Sequence, residues 1–231
     1  MTLHTDRHFE DELQSLQELL LRMGGLVERQ IAHAIESLVE RDSELAREVI
    51  ARDREVNRLD ILIDEECLKV IALHQPAAGD LRFVTTALKV NTDLERIGDM
   101  AVNICERALE LNDEPMLKPY IDVPNMAKEA QQMVRTSLDA LVRRDTALAR
   151  RVIEQDDVVD GYAHQLYREL LSFMVEEPKT ISRATRILLV SKYLERIADH
   201  ATNIAEMVVF MVDGKMIRHA ASLPRGGAEL A

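Results

Sequence analysis

Two short acidic rows recur in this chain at a fixed spacing of 100 residues. Residues 90–106 read VNTDLERIGDMAVNICE and residues 190–206 read VSKYLERIADHATNIAE, with ten of seventeen positions identical. In each copy a glutamate, an aspartate and an asparagine follow at steps of four, which places their side chains on one face of a helix. Oxygen-rich faces of this kind can bind hard metal ions or a basic protein surface. The residues are Glu95, Asp99 and Asn103 in the first copy, and Glu195, Asp199 and Asn203 in the second.

A second acidic row lies on the helical segment before each copy, where two oxygen-bearing residues again stand four apart. Hard cations such as Mg²⁺, Mn²⁺ or iron take several oxygen ligands, and adjacent helices can supply them. Carboxylates at this spacing also repel each other, so a bound cation or a neighbouring arginine such as Arg96 would compensate. The candidate ligands are Glu95, Asp99, Asp53 and Asn57 in the first half, and Glu195, Asp199, Asp156 and Asp160 in the second.

The apolar residues of the repeated segment, such as Leu94 and Ile97, fall almost opposite the carboxylates on a helical projection. We therefore expect the carboxylates to face outward, away from the core. Such a row can also be nothing more than the solvated face of an amphipathic helix, and that alternative stays open. A metal-dependent carboxylate enzyme is disfavoured, because bundle-core enzymes of that kind direct their ligands inward and use a Glu-x-x-His element that this sequence lacks. We expect no catalytic activity.

Six long amphipathic segments carry these rows, with apolar residues at steps of three and four. A further repeat relates residues 41–57 to residues 144–160 at an offset of 103, so each half has the order helix, corner, helix, turn, helix. The pair Gly24-Gly25 interrupts the apolar stripe of the first segment and is expected to kink or loosen that helix. The pattern predicts an all-α fold of two tandem three-helix bundles related by internal duplication. The predicted segments are 6–40, 43–74, 77–111, 123–143, 146–175 and 180–212.

Proline spacing and composition indicate the domain boundaries. The first three-helix repeat is expected to span residues 1–111 and the second residues 123–213. Residues 112–122 contain Pro115 and Pro119 and are expected to form the linker. The polar, glycine-containing residues 214–231 are expected to form a disordered tail.

Composition narrows the class of partner. The formal net charge of −12 disfavours nucleic acid or an anionic membrane as a direct partner, because both require a basic face. No stretch of about 18 apolar residues is present and the first residues do not read as a signal peptide, so we expect a cytoplasmic protein. The two cysteines, Cys67 and Cys105, form no metal-binding spacing and are expected to be reduced and half-buried.

Three motifs together resemble the PhoU family of phosphate-specific transport accessory and phosphate-signalling proteins. The first is Met-Gly-Gly at residues 23–25, and the second is Gln-Pro-x-x-x-Asp-Leu-Arg at residues 75–82. The third is Leu-Glu-Arg-Ile-Gly-Asp at residues 94–99, which the second half repeats with alanine in place of glycine at residues 194–199. The resemblance extends from about residue 8 to residue 219.

The resemblance implies a homodimeric, PhoU-like pair of three-helix bundles without enzymatic activity. It further implies negative regulation of the phosphate-starvation response, with the protein linking the ATP-binding subunit of the phosphate transporter to a sensor histidine kinase. Contact with a membrane would then be indirect, through these partners. Some members bind iron, zinc, magnesium or manganese through the acidic motifs, which maps metal binding onto the candidate ligands above. A cytosolic metal or phosphate buffer without partners is the alternative function.

Overall fold

The computed structural model describes residues 3–217, with side chains described from residue 8 onward. Within that range the chain is all-α, and this confirms the predicted fold class. None of the described helices is long and apolar enough to cross a bilayer. The helices are α1 (Leu3–Val39), α2 (Ser43–His74), α3 (Ala78–Asn112), α4 (Asp122–Arg143), α5 (Thr146–Glu176) and α6 (Ile181–Asp213), with a short 3₁₀ turn at Pro178–Thr180.

The repeated Arg-Asp corner starts the second helix of each unit in the same way. The carboxylate of Asp42 accepts hydrogen bonds from the backbone N–H groups of Glu44 and Leu45, at 3.0 and 2.9 Å. Asp145 accepts one from the N–H of Leu148 at 2.9 Å. Each aspartate thereby satisfies backbone donors that have no partner within the first helical turn. The two short corners make consecutive helices antiparallel, as the sequence predicts.

The helix bounds match the predicted segments within a few residues. Helix α1 continues through Gly24 and Gly25, in agreement with the single segment predicted there. Gly24 allows another helix to approach closely, because a Cβ atom there would overlap Cδ1 of Leu138 in α4. Residues 113–121 connect α3 to α4. Most of the predicted tail, residues 214–231, lies outside the described residues.

The two three-helix units pack on each other through four of their helices. Among the described residues, α3 packs along α6 and α1 packs along α4, whereas α2 and α5 contact only helices of their own unit or the adjoining turn. Arg82 near the start of α3 donates to the carbonyl of Met211 near the end of α6 at 3.1 Å. This pairing shows that α3 and α6 run antiparallel. The outer helix α2 therefore packs along α3, and the outer helix α5 packs along α6. A groove lies between the two helices of each pair.

Candidate acidic sites in two helix grooves

The first groove lies between α2 and α3, and Asp53 is held in place there by two amide groups. The side-chain N–H of Gln30 in α1 donates to Oδ1 of Asp53 at 3.2 Å. The side-chain N–H of Asn57, one turn further along α2, donates to Oδ2 at 3.0 Å. These bonds fix the carboxylate at the edge of α2 that faces α3.

Glu95 and Asp99 of α3 face the same groove. Burial raises the pKa of Asp99, and the neighbouring charge of Asp53 raises it further. Burial likewise raises the pKa of Glu95, with added repulsion from Asp99, Asp60 and Asp53. Arg96 partly offsets this repulsion, since its guanidinium lies 3.5 Å from one oxygen of each carboxylate. The structure thus brings together the predicted ligands of the first half.

Asn91 extends the first groove, and the sequence pattern did not identify it. Its side chain is fully buried and donates to the backbone and side-chain oxygens of Asp60 at 2.9 and 2.7 Å. It also donates to Oδ1 of Asp64 at 3.0 Å. A buried amide with these acceptors ties α3 to α2 and keeps two further carboxylates on the groove edge.

The second groove lies between α5 and α6 and gathers the predicted ligands of the second half. The pKa of Asp156 is raised to about 6 by burial, and then by the charges of Asp160 and Asp199. Burial also raises the pKa of Asp199, together with the charges of Glu195 and Asp160. Lys192 compensates in part, with its ammonium group 2.5 Å from Glu195. Asp160 replaces the Asn57 of the first groove, so this cluster holds four carboxylates.

The carboxylates lie outside the core, as predicted, but they are less exposed than a solvated face. The side chain of Glu95 is 25% exposed and that of Asp99 is 38% exposed. The reason is that α2 covers this face of α3. A helical projection of α3 alone assigns one apolar side and cannot show that a neighbouring helix partly covers the opposite side.

The donor set fits a hard cation, although the ligands are not drawn together into a finished site. Among the described residues, no three His, Cys, Asp or Glu side chains are arranged to hold a metal ion. Oε1 of Gln30 is nevertheless buried without a hydrogen-bond partner in the described part of the chain. A Cβ atom on Gly98 would lie 3.3 Å from that oxygen and from Oδ1 of Asp53. Two oxygens of the groove, together with a methyl group of Val56, therefore lie close to Gly98, where a side chain would crowd them.

A further polar pair lies at the packing surface between the two units. Nδ1 of His200 in α6 is 2.8 Å from Oδ1 of Asp93 in α3, and the amide of Asn203 donates to the same oxygen at 3.3 Å. The sequence indicated no role for His200, since Met100 holds its place in the first half. The pairing partner is on the other unit, and a repeat comparison cannot show it. The only indication in the sequence was that a charged residue, Asp93, directly precedes the apolar Leu94.

The fold and the grooves define a class: duplicated three-helix proteins that carry one carboxylate-lined groove per repeat. The sequence model described as the PhoU domain matches residues 20–108 and again residues 123–208. The chain belongs to the PhoU family.

Relatives match along almost the whole chain. The phosphate-specific transport system accessory protein PhoU homolog of Pseudomonas aeruginosa is 41% identical over 220 residues, which is 95% of this chain and 91% of that protein. The homolog of the same name from Aquifex aeolicus is 43% identical over 208 residues, 90% of this chain and 94% of that protein.

Two crystal structures show the same architecture. PhoU from Pseudomonas aeruginosa superposes with a TM-score of 0.86 at 42% identity, covering 90% of this chain and 100% of that one. The phosphate transport system regulatory protein PhoU from Streptococcus pneumoniae gives 0.84 at 29% identity, covering 90% of this chain and 98% of that one.

Proposed function

We propose that this protein is an accessory protein of a phosphate-specific transport system that restrains the phosphate-starvation response while phosphate is plentiful. The observation that carries the proposal is the match of both repeats to the PhoU domain, within relatives that align over nearly their full length. The relatives bear the name of a transport-system accessory protein, and the Streptococcus pneumoniae structure is named a regulatory protein. The role of this chain is regulatory and not catalytic.

In this role the protein acts in the cytoplasm as an adaptor. It links the ATP-binding subunit of the phosphate transporter to the sensor histidine kinase of the phosphate response, and it works as a homodimer. The long outer helices α2 and α5 support the proposal, because each leaves much of its surface uncovered by the rest of the chain. A formal net charge of −12 favours basic protein surfaces as partners.

A reporter of the starvation response in a strain lacking the gene tests the proposal. The reporter is expected to be active in phosphate-rich medium and to be silenced when this chain is restored. Tagged protein from the same cells is expected to co-purify with the transporter subunit and the kinase. If the reporter is silenced but neither partner co-purifies, the adaptor role is rejected. If the reporter does not respond to the gene but the cellular metal or phosphate content changes, a buffer is favoured.

We further propose that each acidic groove binds a divalent or iron cation, whose charge would relieve repulsion among the carboxylates. The unpartnered Oε1 of Gln30, which lies beside Gly98 together with Oδ1 of Asp53, supports a first site that includes Asp53, Glu95 and Asp99. The raised pKa of Asp156 supports the second, because clustered carboxylates attract a cation in place of a proton. Asn57 would be an additional oxygen donor in the first site. The second site would use Asp156, Asp160, Glu195 and Asp199.

The double variant Asp99→Ala/Asp199→Ala tests metal binding. We expect it to lose stoichiometric metal in elemental analysis while its helix content by circular dichroism stays unchanged. Glu65→Ala/Glu154→Ala is a matched control, since it removes the same charge from exposed positions on α2 and α5. Equal metal content in both variants would reject the sites.

A further inference from the structure

An apolar groove continues the second acidic groove along α5 and α6. It encloses about 330 Å³ and is lined mainly by apolar atoms, with Ala163 and Tyr167 on α5 and Leu188 on α6. Tyr167 is 54% exposed, and Leu171 and Val175 are exposed at the next steps of four along the same helix. Single exposed apolar residues are ordinary, but a stripe beside a concave apolar surface is typical of a binding site.

The first unit shows that the fold does not require this apolar surface. At the offset of 103 that relates α2 to α5, Asp60 stands in place of Ala163 and Asp64 in place of Tyr167. Asn91 binds both aspartates, so the same position between α2 and α3 is polar. The two units therefore differ at these two positions, although the next step of four is an exposed leucine in both, Leu68 and Leu171. The apolar surface at Ala163 and Tyr167 needs an explanation beyond folding.

The charges next to the apolar groove indicate what would cover it. Asp160 and Asp156 lie seven and eleven residues before Tyr167 on α5, which is about 10 and 16 Å along the helix. Asp199 and Glu195 lie beside them on α6, as their effect on the pKa of Asp156 shows. One end of the continuous groove is thus apolar and the other strongly acidic.

We propose that this groove binds an amphipathic helix of a partner protein, with apolar residues over Tyr167 and Leu171 and lysine or arginine residues over the carboxylates. The length of the groove suits a helix of about four turns. A second copy of this chain is a poor occupant, because its formal net charge of −12 would bring further negative charge to an acidic surface. Lys192 is exposed and can leave Glu195 to the incoming cation. The carboxylates are those of the proposed second metal site, so the helix would bind metal-free protein, and binding is tested with a chelator present. The proposal does not depend on the kinase as partner.

Fluorescence anisotropy with a synthetic peptide tests the proposal on the full chain. The probe is a labelled helix of about 16 residues with leucines on one face of its first half and lysines in its second half. Two comparison peptides replace lysine by glutamate or scramble the leucine positions. The lysine peptide is expected to bind at least about tenfold more tightly than either, and more weakly as salt screens the charges.

Substitutions in the groove test whether the peptide binds there. Ala163→Asp/Tyr167→Asp copies the residues of the first unit and is expected to weaken lysine-peptide binding at least about tenfold. The single variant Tyr167→Ser keeps the test open if the double variant unfolds. Leu68→Asp/Leu73→Asp adds the same charge to exposed apolar positions of α2 and is expected to leave binding unchanged.

Three outcomes would overturn the proposal. The first is equal binding of the lysine and glutamate peptides, and the second is equal loss of binding in the groove and α2 variants. The third is a dimer in analytical ultracentrifugation that dissociates in the groove variant but not in the α2 variant, because a second copy would then occupy the groove.

Discussion

Asp156 lies on the edge of α5 that packs against α6. Its pKa is raised to about 6, first by burial and then by the charges of Asp160 and Asp199. A carboxyl group whose pKa is higher in the folded than in the unfolded state holds more protons when folded, between the two values. Its contribution to stability therefore falls as pH rises from its ordinary value, near 4, to about 6. Near neutral pH the charged Asp156 opposes folding unless a cation compensates.

The variant Asp156→Asn is accordingly expected to raise the free energy of unfolding of metal-free protein near neutral pH. Its advantage over the wild type should shrink as the pH falls through about 6 and should vanish well below about 4, where Asp156 is protonated in both states. Urea titrations across this range, with a chelator present, measure the difference. Glu154→Gln removes a charge from an exposed position of the same helix and is the control. A constant advantage at every pH would contradict this explanation.

The sequence identified the carboxylates of both grooves because their positions follow from helical periodicity and from the repeat. It could not identify Gln30, Asn91 or the Asp93–His200 pair. Each of these depends on a neighbour from another helix, and the spacing within one helix contains no such information. The degree to which the carboxylates are exposed was not predictable for the same reason, since it depends on the packing of α2 over α3.

Gly24 shows at the level of helices how a glycine can serve packing. Helices α1 and α4 join the two units, and Leu138 of α4 packs where a side chain on Gly24 would lie. The next residue, Gly25, faces open space, with only Nη1 of Arg29 within 3.7 Å of its would-be Cβ. The Gly24-Gly25 pair therefore contains one glycine required for packing and one that is not.

Gly24→Ala is expected to destabilise the protein by about 1–3 kcal/mol, because the new methyl group overpacks a buried contact. Gly25→Ala is expected to be neutral or stabilising by up to about 1 kcal/mol, because alanine favours the helix and meets no obstacle. Chemical denaturation of both variants measures the difference. Similar values for the two would show that the approach of α4 does not depend on Gly24.

Helix positions were predictable because local signals fix them: the corners at Asp42 and Asp145 precede apolar periodic segments in both repeats. The role of the Gly24-Gly25 pair was harder to predict, since helix propensity alone counts each glycine only as a cost. Packing against α4 outweighs that cost of about 1 kcal/mol per glycine.

At the scale of the whole molecule, the two units share too much surface to behave independently. Helix α3 packs along α6, and α1 packs along α4. The Arg82–Met211 hydrogen bond joins the ends of α3 and α6, and the Asp93–His200 pair lies between their middles. Arg186 of α6 binds Glu110 near the end of α3 at 2.5 Å and Glu114, just beyond that helix, at 2.7 Å. Opening one unit would expose apolar surface of the other.

We therefore expect a single cooperative unfolding transition, followed equally by helix content and by thiol labelling. Cys67 and Cys105 are fully buried, and burial raises the pKa of each to about 12, so both should resist alkylation in the native state. Both thiols belong to the first unit. Labelling at a lower denaturant concentration than the loss of helix would show that the first unit opens alone.

The difference between Asp64 and Tyr167 at equivalent places has a consequence for how such a chain can be used. An assembly of identical single repeats would offer the same groove at each end and could be joined to its neighbours in either sense. Fusing the repeats into one polypeptide lets each end diverge separately. The two ends of the molecule then differ, and a complex built on it can form in only one orientation.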